Sequence, residues 1–387
     1  MRKLIFILTF VLSFPGLFSQ NLEDLRFGSE STLDIVSWNL EWFPKSGQTT
    51  INYVVDIINA LDVDLIALQE IDETTMFYQL LEELDGWDGY SVNSGYLELA
   101  YLYRTDVIEM EEIFEIYYSN NRELPREPLV MKMKYRGEDF VIINNHLKCC
   151  GDGFMDLDNE WDEETRRFDA CNLLDNYISV YNSDKNVILL GDLNDLLTDN
   201  SENNVFQAFL NDSESYLFTD MAIAEGSSDN WSYPTWPSHL DHIMITNELF
   251  DDFGNESSEI KTIKVDEYLS GGWWEYENYV SDHRPVGLKL VFEATGISES
   301  DPSNTGTEMF NHPNPFEGQT TITFNRVKEN TSLIIYTSCG REVQKFNVTK
   351  GQTSIEWVAE GLPEGIYFAR LIIDQKLVEF KKMVLVK

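Results

Sequence analysis

Between Leu33 and Phe292, short apolar runs alternate with longer stretches in which apolar residues recur at helical spacing. LDIVSWNL (33–40), DLIALQEI (64–71), FVIINNHL (140–147) and NVILLGDLN (186–194) are β-rich, and each ends in polar residues, so they predict strands. TTINYVVDIINAL (49–61), MFYQLLEEL (76–84) and ETRRFDACNLLDNYISVY (164–181) predict helices. Strands interleaved with helices imply layered α/β structure. The pattern changes near residue 296, where GISESDPSNTGTE reads as a polar linker without periodicity. Beyond it, TTITF, SLIIYT, VQKFNV, TSIEWV, GIYFARLII and FKKMVLV predict short strands and a small β-sandwich.

The first residues read differently. Arg2 and Lys3 precede an apolar run from Leu4 to Phe18, and small Ser19 follows. This is the plan of a cleaved export signal. The run is short for a membrane span, and no later segment is apolar for long enough, so no stable membrane span is expected. The expected domains are a signal peptide at 1–19, a catalytic domain at 20–295, a linker at 296–307 and a terminal domain at 308–387.

Charge narrows the function. With 67 acidic and 28 basic side chains among 387 residues, the net charge is -39, which argues against a protein that grips nucleic acid by phosphate neutralisation alone. It leaves room for an enzyme that meets phosphates through metal ions. Hydrophobic residues make up 43%, which excludes a disordered acidic chain. Only ten basic and eleven acidic residues lie beyond residue 295, so the deficit belongs to the first part. Solubility in salt and carboxylates gathered around divalent cations both account for it. The four cysteines, Cys149, Cys150, Cys171 and Cys339, are too few for a disulfide scaffold. Export permits a bridge, and the pairing is open.

Candidate chemistry sits at the polar strand ends. Asn39 closes SWN, Glu70 closes LQE, His146 lies in NNHL, Asp192 and Asn194 in GDLN, Asp241 in LDHI, and Asp282 and His283 in SDHRPV. Such groups are costly to bury unless paired or bound to metal. Each alone reads as a turn or a cap, but the series on successive strands points to phosphoryl hydrolysis. Oxygen ligands Asn39, Glu70 and Asp282 suit Mg²⁺ or Mn²⁺, and a carboxylate and a histidine remain to move protons. A phosphate-binding GxxxxGK[ST] loop, a GxSxG elbow and an HExxH helix are all missing.

The ordered motifs SWN, LQE, NNHL, GDLN, LDHI and SDHRPV resemble the endonuclease/exonuclease/phosphatase superfamily, which includes the pancreatic-type deoxyribonucleases, from about Leu33 to Phe292. The resemblance implies a four-layer α/β sandwich, with two packed, mainly antiparallel β-sheets flanked by helices, ahead of the small all-β sandwich. It implies Mg²⁺-dependent phosphate ester cleavage by a directly attacking water. Asn39, Glu70 and Asp282 would hold the metal. Asp192 would orient or deprotonate the water, and Asn194 would steady the phosphate or the nucleophile. His283, oriented by Asp241, and His146 would serve the phosphate and the leaving group. Arg126, in REPL, matches a phosphate-contacting position of the deoxyribonuclease branch. Glu98 falls near a carboxylate that pairs with the histidine matching His146. His146 itself argues against the abasic-site repair branch.

The acidic segment GDGFMDLDNEWDEE (151–164) reads as a solvated loop, with a structural Ca²⁺ loop as the alternative, and Lys148 either touches phosphate or balances it. WSYPTWP (231–237) and GGWWEY (271–276) carry aromatics suited to core packing, base stacking or a lipid head group. Trp273 and Trp274 are expected on a mobile loop beside Gly271 and Gly272. The tail, with HPNPFEGQTTITF, LIIYTSCGREV and GLPEGIYFARL, resembles the C-terminal sorting domain of the type IX secretion system. That implies the secretion machinery as partner and a secreted or surface-attached product. The leading functional reading is a secreted nuclease or phosphodiesterase with nucleic acid as transient substrate. A phosphoesterase for a sphingomyelin-type lipid or inositol phosphate, and a non-catalytic surface binding module, are the alternatives.

Overall fold

The structure is a computed structural model that describes residues 21–93, 97–292, 309–324, 331–337, 342–359, 361–373 and 376–386. The expected export signal, the linker and Cys339 lie outside the described residues. The chain divides into two compact units, 1–295 and 296–387.

The first unit contains β1 (Leu33–Phe43), α1 (Gln48–Leu61), β2 (Leu65–Ile71), α2 (Thr74–Glu82), β3 (Trp87–Ser91), β4 (Glu98–Arg104), β5 (Ile108–Glu115), β6 (Leu129–Tyr135), β7 (Glu138–His146), α3 (Glu163–Tyr181), β8 (Asn186–Asp192), β9 (Tyr216–Phe218), β10 (Asp241–Thr246), β11 (Glu259–Thr262) and β12 (Val286–Leu290). The strands form two sheets, ordered β11-β12-β1-β2-β4-β3 and β5-β6-β7-β8-β10-β9. Each sheet has one parallel contact, β1 with β2 and β7 with β8, while its other pairs are antiparallel. Both parallel contacts are helix crossovers, through α1 and α3.

Three apolar cores separate four layers. Ile35, Leu65 and Tyr101 from the first sheet meet Met131, Ile142, Leu190 and Ile243 from the second. The outer face of the first sheet, with Val36, Trp38 and Ile66, packs on Val54 and Ile58 of α1 and Leu80 of α2. The outer face of the second, with Ile143, Val187 and Leu189, packs on Ala170, Leu174 and Ile178 of α3. The strands are therefore buried on both faces, which explains why their sequences read as continuous apolar runs. This is the expected four-layer sandwich.

Register in the second sheet places three polar residues in one row. His146 pairs with Asp192 across β7–β8, and Asp192 pairs with Asp241 across β8–β10. Gly191 makes the row fit: its φ is +140°, and a Cβ there would stand 1.9 Å from the Asn145 carbonyl oxygen. Only glycine meets both demands.

The second unit is all β. One sheet contains β13 (Met309–His312), β15 (Gln319–Phe324) and β18 (Ser354–Val358). The other contains β14 (Phe316–Glu317), β16 (Thr331–Thr337), β17 (Glu342–Val348), β19 (Gly365–Ile373) and β20 (Lys376–Val386), in the order β14-β20-β19-β16-β17. Phe316, Ile322, Leu333, Trp357, Tyr367 and Met383 share its core. The six expected strands are present, together with β13 and β14, whose short runs carry little alternation.

One expectation is overturned. GGWWEY is no mobile loop, because Gly272–Tyr279 is a helix. Trp273 packs against the core beside Tyr276, with Arg284 over its ring at 5.4 Å, while Trp274 is exposed.

Gly191→Ala should lower folding stability by about 3 kcal/mol, since the added methyl meets backbone rather than a movable side chain. Urea midpoints of variant and parent measure this, and equal midpoints would refute the close-approach argument.

Candidate active site

The polar row of the second sheet faces the end of β1 and β2 in the first. Asn39 Nδ2 donates to Asp192 Oδ2 at 2.9 Å and to Glu70 Oε1 at 3.2 Å, so one amide joins the two sheets. Asn39 Oδ1 accepts from the Glu41 amide at 2.9 Å, which fixes the orientation of the group. The other Glu70 oxygen accepts from the Trp42 amide at 3.1 Å.

The backbone here is unusual. β1 and β2 lose regular register between Asn39 and Phe43, and β2 and β4 do so between Leu68 and Ile71. Glu41, Trp42, Glu70 and Asn194 all have positive φ, at 39°, 59°, 61° and 56°. Each such residue costs on the order of 1–3 kcal/mol and persists only where its surroundings hold it. With Cys150, whose φ is 72°, these four ring one cleft, and the bulges turn Glu70 and Trp42 out of the pleat toward it.

The cleft has a volume of about 370 Å³, and its lining includes Glu70, His146, Asp192, Asn194, Asp282 and His283. A larger cleft of about 560 Å³, lined by Asp62, Asp64, Arg104 and Arg136 among others, holds none of the expected site residues. Its arginines are already engaged, Arg104 with Asp62 and Asp106, and Arg136 with backbone carbonyls.

The histidines differ sharply. His283 Nδ1 lies 2.7 Å from Asp241 Oδ2, and its Nε2 lies 3.8 Å from Asp192 and 3.9 Å from Asp282. Burial works against its charge, but Asp241 and then Asp192 outweigh burial and hold its pKa well above the ordinary imidazole value. A chain of hydrogen bonds places it. Trp38 Nε1 donates to the Tyr276 hydroxyl, which donates to the His283 carbonyl, and Ser281 Oγ accepts from the His283 amide while donating to the Asn39 carbonyl. Tyr233 lies against the ring, with centroids 4.8 Å apart.

His146 is neutral by contrast. Burial, with smaller contributions from Arg126 and His283, pushes its pKa well below the ordinary value. Its Nε2 lies 3.7 Å from Glu70 and 3.6 Å from Asp192, and its buried Nδ1 has no hydrogen-bond partner. Glu98 therefore does not hold Nδ1, contrary to the pairing the resemblance suggested. Arg126 and Asn194 both donate to the Leu147 carbonyl at 3.3 Å, one residue past His146.

Asp192 is buried beside other carboxylates. Burial first, then Asp241 and Glu70, push its pKa up to about 7 against the opposing pull of His283 and Asn39. Asp241 Oδ1 is buried without a partner. Glu41 is raised to about 7 as well, by burial and by Asp282, whose amide donates to Glu41 Oε2. A buried carboxylate cluster this short of positive charge, with unsatisfied polar atoms and hard oxygen donors, fits a divalent cation. Donor atoms of Glu70, His146 and Asp192 lie within 4.8 Å of one another, and so do those of Asp192, Asp241 and His283.

The eight expected residues thus converge on one cleft, six in its lining and Asn39 and Asp241 bonded to members of it, and Arg126 reaches the Leu147 carbonyl beside His146. Sequence reasoning missed Glu41, Trp42 and Ser281, and it did not place Tyr233, Cys149 and Cys150 in the cleft. Glu41 stands two positions after Asn39, which is the one signal available for it. Trp42 follows it in β1, and the others reach the cleft from loops. The acidic segment is mostly exposed, and its inner carboxylates cap backbone. Asp162 accepts from the Thr165 and Asp156 amides, and Glu164 accepts from the Gly153 amide. Lys148 touches the Cys149 carbonyl at 2.7 Å, not the acidic loop.

Behind the cleft lies a second buried group. His242 Nδ1 is 2.6 Å from Asp220 Oδ2, and Nε2 is 2.9 Å from the Asp195 carbonyl. Both partners are acceptors, so His242 carries both protons and is an imidazolium. His239 Nε2 lies 3.0 Å from the same Asp220 oxygen. Four of the chain's five histidines are therefore in or behind the site.

Comparison with known proteins matches this picture. Residues 36–283 match the model of the Endonuclease/Exonuclease/phosphatase family, and residues 311–387 match the Secretion system C-terminal sorting domain. No curated protein matches the chain. Among solved structures, D. rerio TDP2 complexed with single strand DNA product is 15% identical, with a TM-score of 0.52, over 67% of this chain and 99% of that one. The human Nocturnin catalytic domain with bound sulfate anion is 17% identical, with a TM-score of 0.50, over 69% and 97%. An endonuclease/exonuclease/phosphatase from Bacteroides vulgatus is 15% identical, with a TM-score of 0.50, over 68% and 100%. These likenesses concern the fold. The tail match indicates export by type IX secretion to the cell surface or beyond. Among the described residues no helix is long and apolar enough to cross a membrane.

The Asp220–His242 pair gives a signed pH dependence. Burial opposes both charges, but His242 holds the Asp220 pKa below its ordinary 3.8, and Asp220 lifts the His242 pKa above 6.5. The pair's stabilisation is full between those two values. It is lost as pH falls through the lowered Asp220 pKa, and again as pH rises through the raised His242 pKa. Asp220→Asn should cost about 3–5 kcal/mol near the middle of the window, with the difference from the parent shrinking at alkaline pH. Denaturation at a series of pH values measures this, and a pH-independent difference would contradict the paired-charge assignment.

Proposed function

The chain belongs to the endonuclease/exonuclease/phosphatase family, and from that premise we propose a secreted Mg²⁺-dependent phosphodiesterase that hydrolyses DNA or RNA, with residues 20–295 as catalytic domain and 308–387 as sorting domain. The observation that carries this reading is Asp192. It is a buried carboxylate near neutral pKa, hydrogen-bonded across the sheets to Asn39 and beside a charged His283. The DNA product in the TDP2 relative supports a polynucleotide.

Asn39, Glu70 and Asp282 are the residues that would hold Mg²⁺. When bound, the ion would supply charge stabilisation to a phosphoryl oxygen. The chain's own groups do the rest. Asp192 takes a proton from the attacking water, a role suited to its pKa. Its Oδ1 accepts from the Asn194 amide, which leaves the Asn194 side chain at the cleft. The water oxygen bonds to phosphorus as the bond to the leaving oxygen breaks. His283 donates from Nε2 to the phosphoryl group as charge develops, and Asp241 keeps the ring in position and charged. His146, neutral, offers a second N–H beside the scissile phosphate. Arg126, which donates to the carbonyl of Leu147 next to His146, adds positive potential at that edge.

The lipid alternative has one observation in its favour. Trp236 and Trp274 are exposed at 74% and 63%, and exposed tryptophans suit a head-group layer.

Purified full-length protein should nick supercoiled plasmid with Mg²⁺ and not with EDTA. Asp192→Ala should reduce the rate by roughly 10³-fold or more. A folded, Mg²⁺-supplied enzyme that leaves plasmid and RNA intact yet cleaves sphingomyelin would replace the nuclease reading with the lipid one. Unchanged turnover in Asp192→Ala would overturn the mechanism itself.

Asp241→Asn should lower kcat/KM by roughly 10²-fold and move the alkaline limb of its pH profile to lower pH, because His283 loses the partner that keeps it charged. A limb that stays in place would show that His283 does not act in its charged form.

A further inference from the structure

Two thiols share the cleft with the catalytic groups. Cys149 and Cys150 both line it, together with His146, Asp192 and Asn194. Among the described residues Cys149, Cys150 and Cys171 are unbridged. The Cys150 thiol donates to Cys149 Sγ at 2.9 Å, and Lys148 Nζ approaches that same sulfur at 3.7 Å. The hydrogen bond to Cys149, with burial, pushes the Cys150 thiol pKa up. Cys150 is exposed and Cys149 partly so. Cys171 differs, since it is buried in α3 and burial pushes its thiol pKa far up. Of the described thiols only the adjacent pair is open to solvent-borne reagents.

The pair is also tied to the catalytic segment. Arg167, itself buried, donates to the Lys148 carbonyl at 2.8 Å and the Cys150 carbonyl at 2.7 Å, on either side of Cys149. Its Nε donates to Asp195 Oδ2 at 2.7 Å, three residues beyond Asp192. Cys150 and Gly151 both have positive φ, at 72° and 117°, so the turn that presents the thiols has little freedom to adjust. A change in the turn therefore loads the guanidinium that holds the segment bearing Asp192 and Asn194.

We infer that Cys149–Cys150 is a modification site within the substrate cleft, where a small-molecule disulfide converts the two thiols into a vicinal disulfide and lowers turnover. The Cys149 thiolate attacks one sulfur of the external disulfide, forming a mixed disulfide and releasing one thiolate, which takes up a proton. Cys150 then loses its proton and attacks the Cys149 sulfur, and the second external thiol leaves. Two protein thiols lose two electrons and two protons, and one external disulfide becomes two thiols. An exported protein meets such oxidants. Bond formation draws the sulfurs from 2.9 Å to about 2.05 Å, which must rotate Cys150 against its fixed carbonyl.

The test uses full-length protein treated with oxidised glutathione or with dithiothreitol, followed by alkylation, digestion and mass measurement of the peptide that begins at Cys149. Hydrolysis of bis(p-nitrophenyl) phosphate with Mg²⁺ is followed in parallel. The expected result is a peptide lighter by two hydrogens that carries no glutathione, with turnover lowered roughly tenfold and restored by dithiothreitol. Cys149→Ser should give no internal link and a rate that the oxidant leaves unchanged, whereas Cys150→Ser should give no internal link but stop at a glutathione adduct on Cys149. Alkylated thiols after oxidation, a stable glutathione adduct, a link to Cys171 or Cys339, or an internal link with unaltered turnover would each overturn the inference. If the reduced protein does not hydrolyse the ester at all, the phosphodiesterase reading fails, and peptide mass alone still decides the link.

Discussion

Two apolar sheet faces can slide over one another at little cost, and a cleft built from both sheets needs them held to a fraction of an ångström. In this protein the lock is a set of buried polar links. Asn39 on β1 reaches Asp192 on β8, Gln69 on β2 reaches Asn144 on β7 at 2.8 Å, and the Tyr101 hydroxyl on β4 donates to the Leu129 carbonyl while accepting from the Asn144 amide. Leaving any one of these groups unpaired would cost about 1–3 kcal/mol, so displacement of the sheets is opposed at several points together. Asn39 is the link that also belongs to the site. The contact that fixes the relative position of the layers therefore fixes Glu70 against Asp192.

With that frame fixed, the same side chain acquires different properties a few ångströms apart. His146 and His283 are both buried beside Asp192. Only His283 has a carboxylate in direct contact with Nδ1, and that contact outweighs burial. His146 has none there, so burial wins and the ring is neutral. A pair of histidines separated in charge state this way can present one cationic and one neutral donor to a single phosphate. The division is set by which strand end supplies a carboxylate, not by the histidines themselves.

The sequence was informative wherever chemistry coincided with a regular strand. Asn39, Glu70, His146, Asp192 and Asp241 each terminate or begin an apolar run, and a strand carries its end residue to the sheet edge. Period-two spacing could have found Glu41, but the bulge after Asn39 interrupts the alternation on which that reading depends. Tyr233 and Cys150 reach the cleft from loops, whose paths depend on long-range contacts such as Arg167 with Asp195. Trp273 misled for a related reason. Two glycines suggested a loop, but Gly272 uses its positive φ to begin a helix, and packing of Trp273 on Tyr276 and Arg284 outweighs local propensity.

The charge of -39 bears on how such a site can hold a polyanion at all. The cations near the cleft are already engaged. Lys45 is held by Glu41 and the Glu277 carbonyl, Lys148 by the Cys149 carbonyl, and Arg126 by the Leu147 carbonyl. None of the three forms an extended basic track along which a strand could lie. Affinity for a nucleic acid must then come from contacts at the scissile phosphate and from divalent cations that bridge two negative surfaces. Monovalent salt weakens binding to a basic protein by competing for the phosphates. Here it also screens the repulsion between enzyme and substrate, so the two effects oppose each other. On the proposed nuclease reading, an acidic exported enzyme built this way would give up tight nonspecific binding and keep its turnover in salty surroundings, where a basic one would lose its grip on the substrate.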